Sequence, residues 1–220
     1  MTTSDGWAAA VRDRLAPGRL LPLGTAADGA WITERAAREV LGRAASAVRG
    51  VVPGALRIRP DQEAESGEEA ESGEEAALRV SASFGVVAGH PLPALTEALR
   101  AALLTAAEDE LGLVTAAVDL RVTDLLDAAP PEAGPAAPPP GATSPATDDP
   151  VALAALGVAG VAAVTDTVGP PVRRDPDGVR VELAVTAGHR PLDVTRAVRT
   201  AVTAAVPEAA AVTVVVSELR

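Results

Sequence analysis

The chain's two histidines stand in matching settings, Ala88-Gly89-His90-Pro91 and Ala187-Gly188-His189-Arg190-Pro191. Each setting reads as the junction between a strand and a helix. An imidazole there, beside the free N–H groups of a helix start, has the position to bind an anion. His90 and His189 are therefore the candidate ligand or partner contacts. The competing reading makes each a turn residue that faces water or bonds a neighbouring backbone group. A metal needs more than one imidazole, and the one carboxylate at a helpful spacing, Asp193, is answered by Ala94 in the first setting.

General acid–base chemistry could draw on carboxylates such as Glu108, Asp109 and Glu110, but these read as the solvated end of a helix. Nucleophile elbows, phosphate loops, dinucleotide glycine fingerprints and paired histidines on a helix are missing from the sequence. With no cysteine, thiolate nucleophiles, disulfides and cysteine-held zinc or iron–sulfur centres are excluded. The expectation is a protein that is not an enzyme, with no catalytic residue, no cofactor and no metal site.

The elements that carry the histidines occur twice. Shifting by 99 positions superposes Ala88-Gly89-His90 on Ala187-Gly188-His189, then Thr96 on Thr195, Ala98 on Ala197, Arg100 on Arg199 and Ala102 on Ala201. Upstream, Val80, Ala82, Phe84 and Val86 alternate as Val179, Val181, Leu183 and Val185 do. Downstream, Val118, Leu120 and Val122 answer Val212, Val214 and Val216. The repeated unit is strand, helix, strand, and a duplication of this length predicts two similar small domains. The fold class expected is α+β, each domain packing helices on one face of a small mixed sheet with a strand–helix–strand crossover.

A length of 220 residues accommodates two such domains. The net charge of −11 is localised: eight acids and no base lie between Asp61 and Glu75, and Glu132, Asp148 and Asp149 add to the excess. Without these the remaining acids balance the 19 basic residues, all arginine. A balanced body with an acidic run has no electrostatic footprint for nucleic acid and is repelled by an anionic membrane surface. The apolar stretch from Val151 to Val164 is too short to span a bilayer, so no direct membrane insertion is expected. The N-terminus carries Asp5 and no long apolar core, which argues against a secretory signal.

Along the chain, residues 1–21 read as a helical extension with Trp7, Val11 and Leu15 on one stripe. A first domain spans 22–127. Its first helix begins near Thr33 with Ala36, Val40, Ala44, Ala47, Val48 and Val51 on one face and ends at Gly50. Strands follow at Ala55 to Arg59 and Ala77 to Val87, joined by a disordered acidic loop, 61–76, that contains a tandem hexapeptide. The second helix buries Leu95, Leu99, Ala102, Leu103 and Ala106, stops at Gly112, and is followed by a strand from Val114 to Val122. A proline- and alanine-rich linker, 128–148, leads to a second, shortened domain, 149–220, whose first helix runs through Val151, Leu153, Leu156 and Val161. There Asp175-Pro176-Asp177-Gly178 makes a turn in place of the acidic loop.

The run from Leu23-Gly24-Thr25 through Asp28-Gly29-Ala30-Trp31-Ile32-Thr33 to Arg38-Glu39-Val40 resembles the opening of the alkaline-shock protein family, the bacterial envelope-stress response proteins. The later parts of that pattern are similar to Ala77–Ala88, Pro91–Leu111 and Val114–Val122, and Gly50-Val51 matches the pair that closes the family's first helix, echoed at Gly160-Val161. The second half of the chain is similar to the later portion of the same pattern. The acidic insertion, the linker and the second copy are departures. The resemblance implies a non-enzymatic cytoplasmic scaffold or interaction protein, gathered at the inner membrane face by a membrane-anchored protein partner, with self-association among its contacts. It carries over no catalytic residue. The alternative is a small-ligand or anion-binding module using the turns at His90 and His189.

Overall fold

The computed structural model describes residues 18–61, 77–128, 147–176 and 178–220. The helix expected through Trp7, Val11 and Leu15 lies outside the described residues, as do nearly all of the acidic loop and of the linker. The protein is α+β, with two mixed sheets and helices. It divides into two compact units, Arg38–Ala142 and Met1–Ala37 with Thr143–Arg220.

In the first of these, β3 (Val51–Pro60) and β4 (Leu78–Val87) are antiparallel, and β5 (Thr115–Leu126) runs parallel to β4. Between β4 and β5 lies α2 (Leu92–Thr105), continued by one wider turn, Ala106–Leu111, that ends on the left-handed Gly112. Alternation sets the core: Leu78, Val80, Ala82, Phe84 and Val86 are buried on one face of β4, beneath the α2 stripe Leu95, Leu99 and Leu103. The helix α1 (Glu34–Ser46) leads into this unit, and its Gly42 and Ala45 share a small apolar cavity with Val51, Phe84 and Leu99. Its buried stripe takes in Ala37, Leu41 and Ala45 beside Ala36 and Val40, whereas the expected Ala47 is exposed. The helix stops at Ser46, so Ala47 and Val48 belong to the turn that leads to Gly50.

The other unit holds a sheet of six strands. Here β8 (Gly178–Val185) and β9 (Val212–Leu219) are parallel and flank the helix α4 (Pro191–Ala205) in sequence. The short strands β6 (Val161–Val164) and β7 (Val172–Asp175) both pair antiparallel with β8. The helix α3 (Pro150–Leu156) precedes them, started by Asp149, whose carboxylate accepts from the Val151 N–H at 2.8 Å. Val161, expected on that helix, begins β6, because the helix has already ended at Gly157.

The repeat is legible in the strand registers. Val80, Ala82 and Phe84 face Val118, Leu120 and Val122; Val179, Val181 and Leu183 face Val212, Val214 and Val216. Both ladders then skip one residue at the same place, Thr123 in one and Ser217 in the other. The copies differ on the neighbouring strand. Where β3 carries a bulge at Gly54 and Ala55, the second copy has a loop from Thr165 to Pro171 between β6 and β7.

One expectation about domain limits needs correcting. The sequence reading places residues 22–33 at the opening of the domain 22–127 and residues 20 and 21 in a helical extension, but Leu20–Leu23 (β1) and Ala30–Thr33 (β2) pair as an antiparallel hairpin. It is built instead into the sheet of the C-terminal half, β2 lying parallel to β9 with Ala30, Trp31 and Ile32 opposite Val214, Val215 and Val216. Sheet order is β1-β2-β9-β8-β6. Leu21, Leu23 and Ile32 are fully buried there, which is the apolar reason the hairpin holds its place. Among the described residues no helix is long and apolar enough to cross a membrane.

Candidate functional site

His90 and His189 lie one in each unit, in turns built alike. The turn after α1 closes on Gly50 with φ of 89°, and the turn after α3 on Gly160 with φ of 90°, a left-handed conformation that glycine adopts without steric cost. A Cβ on Gly50 would lie 2.8 Å from Cγ and Cδ2 of His90; one on Gly160 would lie 2.8 Å from Cδ2 of His189. Each imidazole therefore packs against a glycine backbone. The Gly50 and Gly160 carbonyls accept from Val87 N–H at 3.0 Å and Thr186 N–H at 2.8 Å, fixing the strand end from which the histidine turn departs. His90 Nδ1 lies 3.1 Å from the Val87 carbonyl, and since a carbonyl only accepts, the proton sits on Nδ1. The His189 backbone N–H donates to the Thr186 carbonyl at 3.1 Å.

Other chemistry-bearing residues of the sequence are used locally. Asp193 lies 3.5 Å from Arg190. Glu108, Asp109 and Glu110 fall in the wide turn after α2 and are exposed. Among the described residues no three His, Cys, Asp or Glu side chains converge to hold a metal.

Two polar clusters escape sequence reasoning. The first is Glu182, on the face of β8 that alternation assigns to solvent, yet fully buried. Its carboxylate accepts from the N–H groups of Thr167 at 2.7 Å, Val168 at 3.0 Å and Gly169 at 3.1 Å, and from Thr165 Oγ1 at 3.1 Å. Thr165 also bonds Ser217 Oγ at 2.6 Å. Successive N–H groups aimed at one point make an anion cradle. Here the chain's own carboxylate fills it. The repeat counterpart of Glu182 is Ser83, whose hydroxyl accepts from Ala55 N–H at 2.9 Å and so serves the short bulge that replaces the loop.

The second cluster joins the hairpin to α4. Arg196 grips Asp28 through Nε–Oδ1 at 2.8 Å and Nη2–Oδ2 at 3.1 Å, and Arg199 donates to the Ala27 carbonyl. The bond from Arg196 holds the Asp28 carboxyl down at about 2. Thr33 Oγ1 reaches the Ser217 carbonyl at 2.9 Å on the strand side. A comparable two-pronged pair, Arg174 on Asp149 at 2.7 and 3.0 Å, ties β7 to the start of α3 and lowers the Asp149 carboxyl.

The chain matches no protein-family model, no curated protein and no solved structure.

Proposed function

We propose that the chain is a non-enzymatic interaction protein of the alkaline-shock type, built from two copies of one small α+β domain with a strand–helix–strand crossover. It is a cytoplasmic scaffold, held at the inner membrane face by a membrane-anchored protein partner, and it serves the envelope under stress. The observation that carries this reading is the residue-by-residue equivalence of the β4–β5 and β8–β9 registers, including the skipped residues Thr123 and Ser217. Duplication of a module in which, among the described residues, Glu108, Asp109 and Glu110 are exposed on a turn and Asp193 is spent on Arg190 favours binding over catalysis. Two tethered copies gain avidity that neither has alone. The resemblance of Leu23–Val40 and the later elements to the family supplies the partner class.

A ligand reading based on His90 and His189 draws less support, because both rings already pack on the glycines that close the turns after α1 and α3. The test is fractionation of native cells expressing a tagged copy, followed by identification of what co-purifies. Membrane recovery with a specific spanning protein is expected. A wholly soluble, partner-free protein, or turnover of a defined substrate by the purified chain, would overturn the reading.

A further inference from the structure

The paired strands β4–β5 and β8–β9 are equivalent, but their open sides end differently. β9 has β2 as a second neighbour. Among the described residues β5 pairs with β4 alone, so Thr115–Leu126 forms a sheet edge. Burial records the difference: Val212, Val214 and Val216 are buried, whereas their counterparts Val118, Leu120 and Val122 are half-exposed, and Leu125 is 79% exposed. An edge of this length presents backbone donors and acceptors, with apolar side chains beside them, to another strand.

The hairpin that covers β9 is chemically wrong for β5. Its Asp28 is received on α4 by Arg196; the counterpart on α2 is Glu97, and a carboxylate there would repel it. The counterpart of Arg199, Arg100, is already paired with Glu97.

What β5 does fit is itself. Read in both directions from Leu120, the strand places Val118 opposite Val122 and Asp119 opposite Arg121. Antiparallel pairing about a two-fold axis at Leu120 puts Val118, Leu120 and Val122 against Val122, Leu120 and Val118 of the other copy on the helix-covered face. On the outer face it makes two Asp119–Arg121 pairs. Arg79 already lies 3.3 Å from Asp119, so each new pair extends an existing one. The register skips at both ends of β5 confine the regular stretch to Ala117–Val122, which brackets that axis.

We propose, independently of the recruitment reading, that a second copy of this chain docks on β5, strand to antiparallel strand, joining two three-stranded sheets across a two-fold axis. The test uses the full chain. Sedimentation velocity at rising micromolar concentration should show a monomer–dimer equilibrium. Arg121→Asp and Asp119→Arg, each folded by circular dichroism, should weaken it roughly tenfold or more by setting like charges opposite one another. Mixing the two variants restores opposite charges at every cross-strand position and should restore the dimer. Because the chain has no cysteine, Leu120→Cys carries one thiol, and oxidation should cross-link it on the axis, while Leu125→Cys should not cross-link. A monomer at all concentrations would refute the proposal. So would a dimer indifferent to both charge variants, or one lost with Asp28→Arg instead, which would indicate hairpin exchange.

Discussion

Asp28 and Arg196 meet through two parallel hydrogen bonds across a sequence separation of 168, and this pair ties the N-terminal hairpin to α4 beside the buried contacts of Leu21, Leu23 and Ile32. Both units offer a parallel strand with an apolar face, but the position that Arg196 holds on α4 is occupied by Glu97 on α2. Asp28→Ala should cost roughly 1 kcal/mol, the range for a two-pronged pair with a half-exposed partner. Asp28→Arg should cost more, and Asp28→Arg with Arg196→Asp should recover part of the loss. Denaturant melts of the full chain measure the three, and hydrogen exchange at Ala30–Thr33 should rise with the same order.

The same pair sets an acid dependence. The Asp28 carboxyl, with a usual value of 3.8, is held at about 2, so the folded state binds the proton more weakly than the unfolded chain. Its contribution is fully present above the unfolded value and is lost as pH falls from about 4 to about 2. Asp149, lowered by Arg174, acts in the same direction. Melting temperature should therefore drop on acidification through this window. The slope should be shallower in Asp28→Asn and shallower still with Asp149→Asn added. An unchanged slope in both would mean that these carboxylates do not carry the dependence.

How much of this was legible in the sequence follows from which forces act locally. Alternation in Val179 to Val185 and in Val80 to Val86 marks the strands because side-chain period and burial coincide. The left-handed glycines Gly50, in the turn after α1, and Gly112, at the end of the wide turn after α2, are likewise local, set by backbone conformation. The position of the hairpin is not. The contact that ties it to α4, Asp28 with Arg196, spans 168 positions and has no signature near either residue. Glu182 was hidden for a related reason: alternation gives the face of β8, but the loop that covers that face is an insertion with no counterpart in the first copy. The histidines were visible as a repeated feature, and their glycine partners as repeated helix ends, but only the folded turn brings each ring onto its glycine.

That turn gives the next prediction. Gly50→Ala places a methyl group 2.8 Å from the His90 ring and forces alanine to a φ of 89°, so it should destabilise by about 2–3 kcal/mol. His90→Ala alone should cost less, since the side chain is only half-buried. In the double variant the steric part disappears and the backbone part remains, so the combined loss should fall short of the sum. In Gly160→Ala the added methyl also meets Val194 Cγ2 at 2.8 Å, so His189→Ala should relieve only part of the steric cost there. Additivity in both cycles would remove the structural role assigned to the histidines.

Glu182 offers the sharpest separation between a structural and a binding role. Its carboxylate is the common acceptor for the N–H groups of Thr167, Val168 and Gly169 and for the Thr165 hydroxyl, all on the loop between β6 and β7. Glu182→Ala removes that acceptor and leaves the loop to find water, at a cost of about 2–4 kcal/mol set by how far the loop can open. Glu182→Gln keeps one carbonyl oxygen but brings an amide donor to face donors, so it should recover only part of the loss. Amide exchange at Thr167, Val168 and Gly169 should accelerate in both, while exchange in β4 should stay as it was. Added phosphate or sulfate should slow exchange at these three amides in Glu182→Ala and leave the unaltered chain untouched, because in the latter the carboxylate already occupies the cradle. Protection by the anion in the unaltered chain would mean that the loop binds ligands without displacing Glu182, contrary to the geometry described.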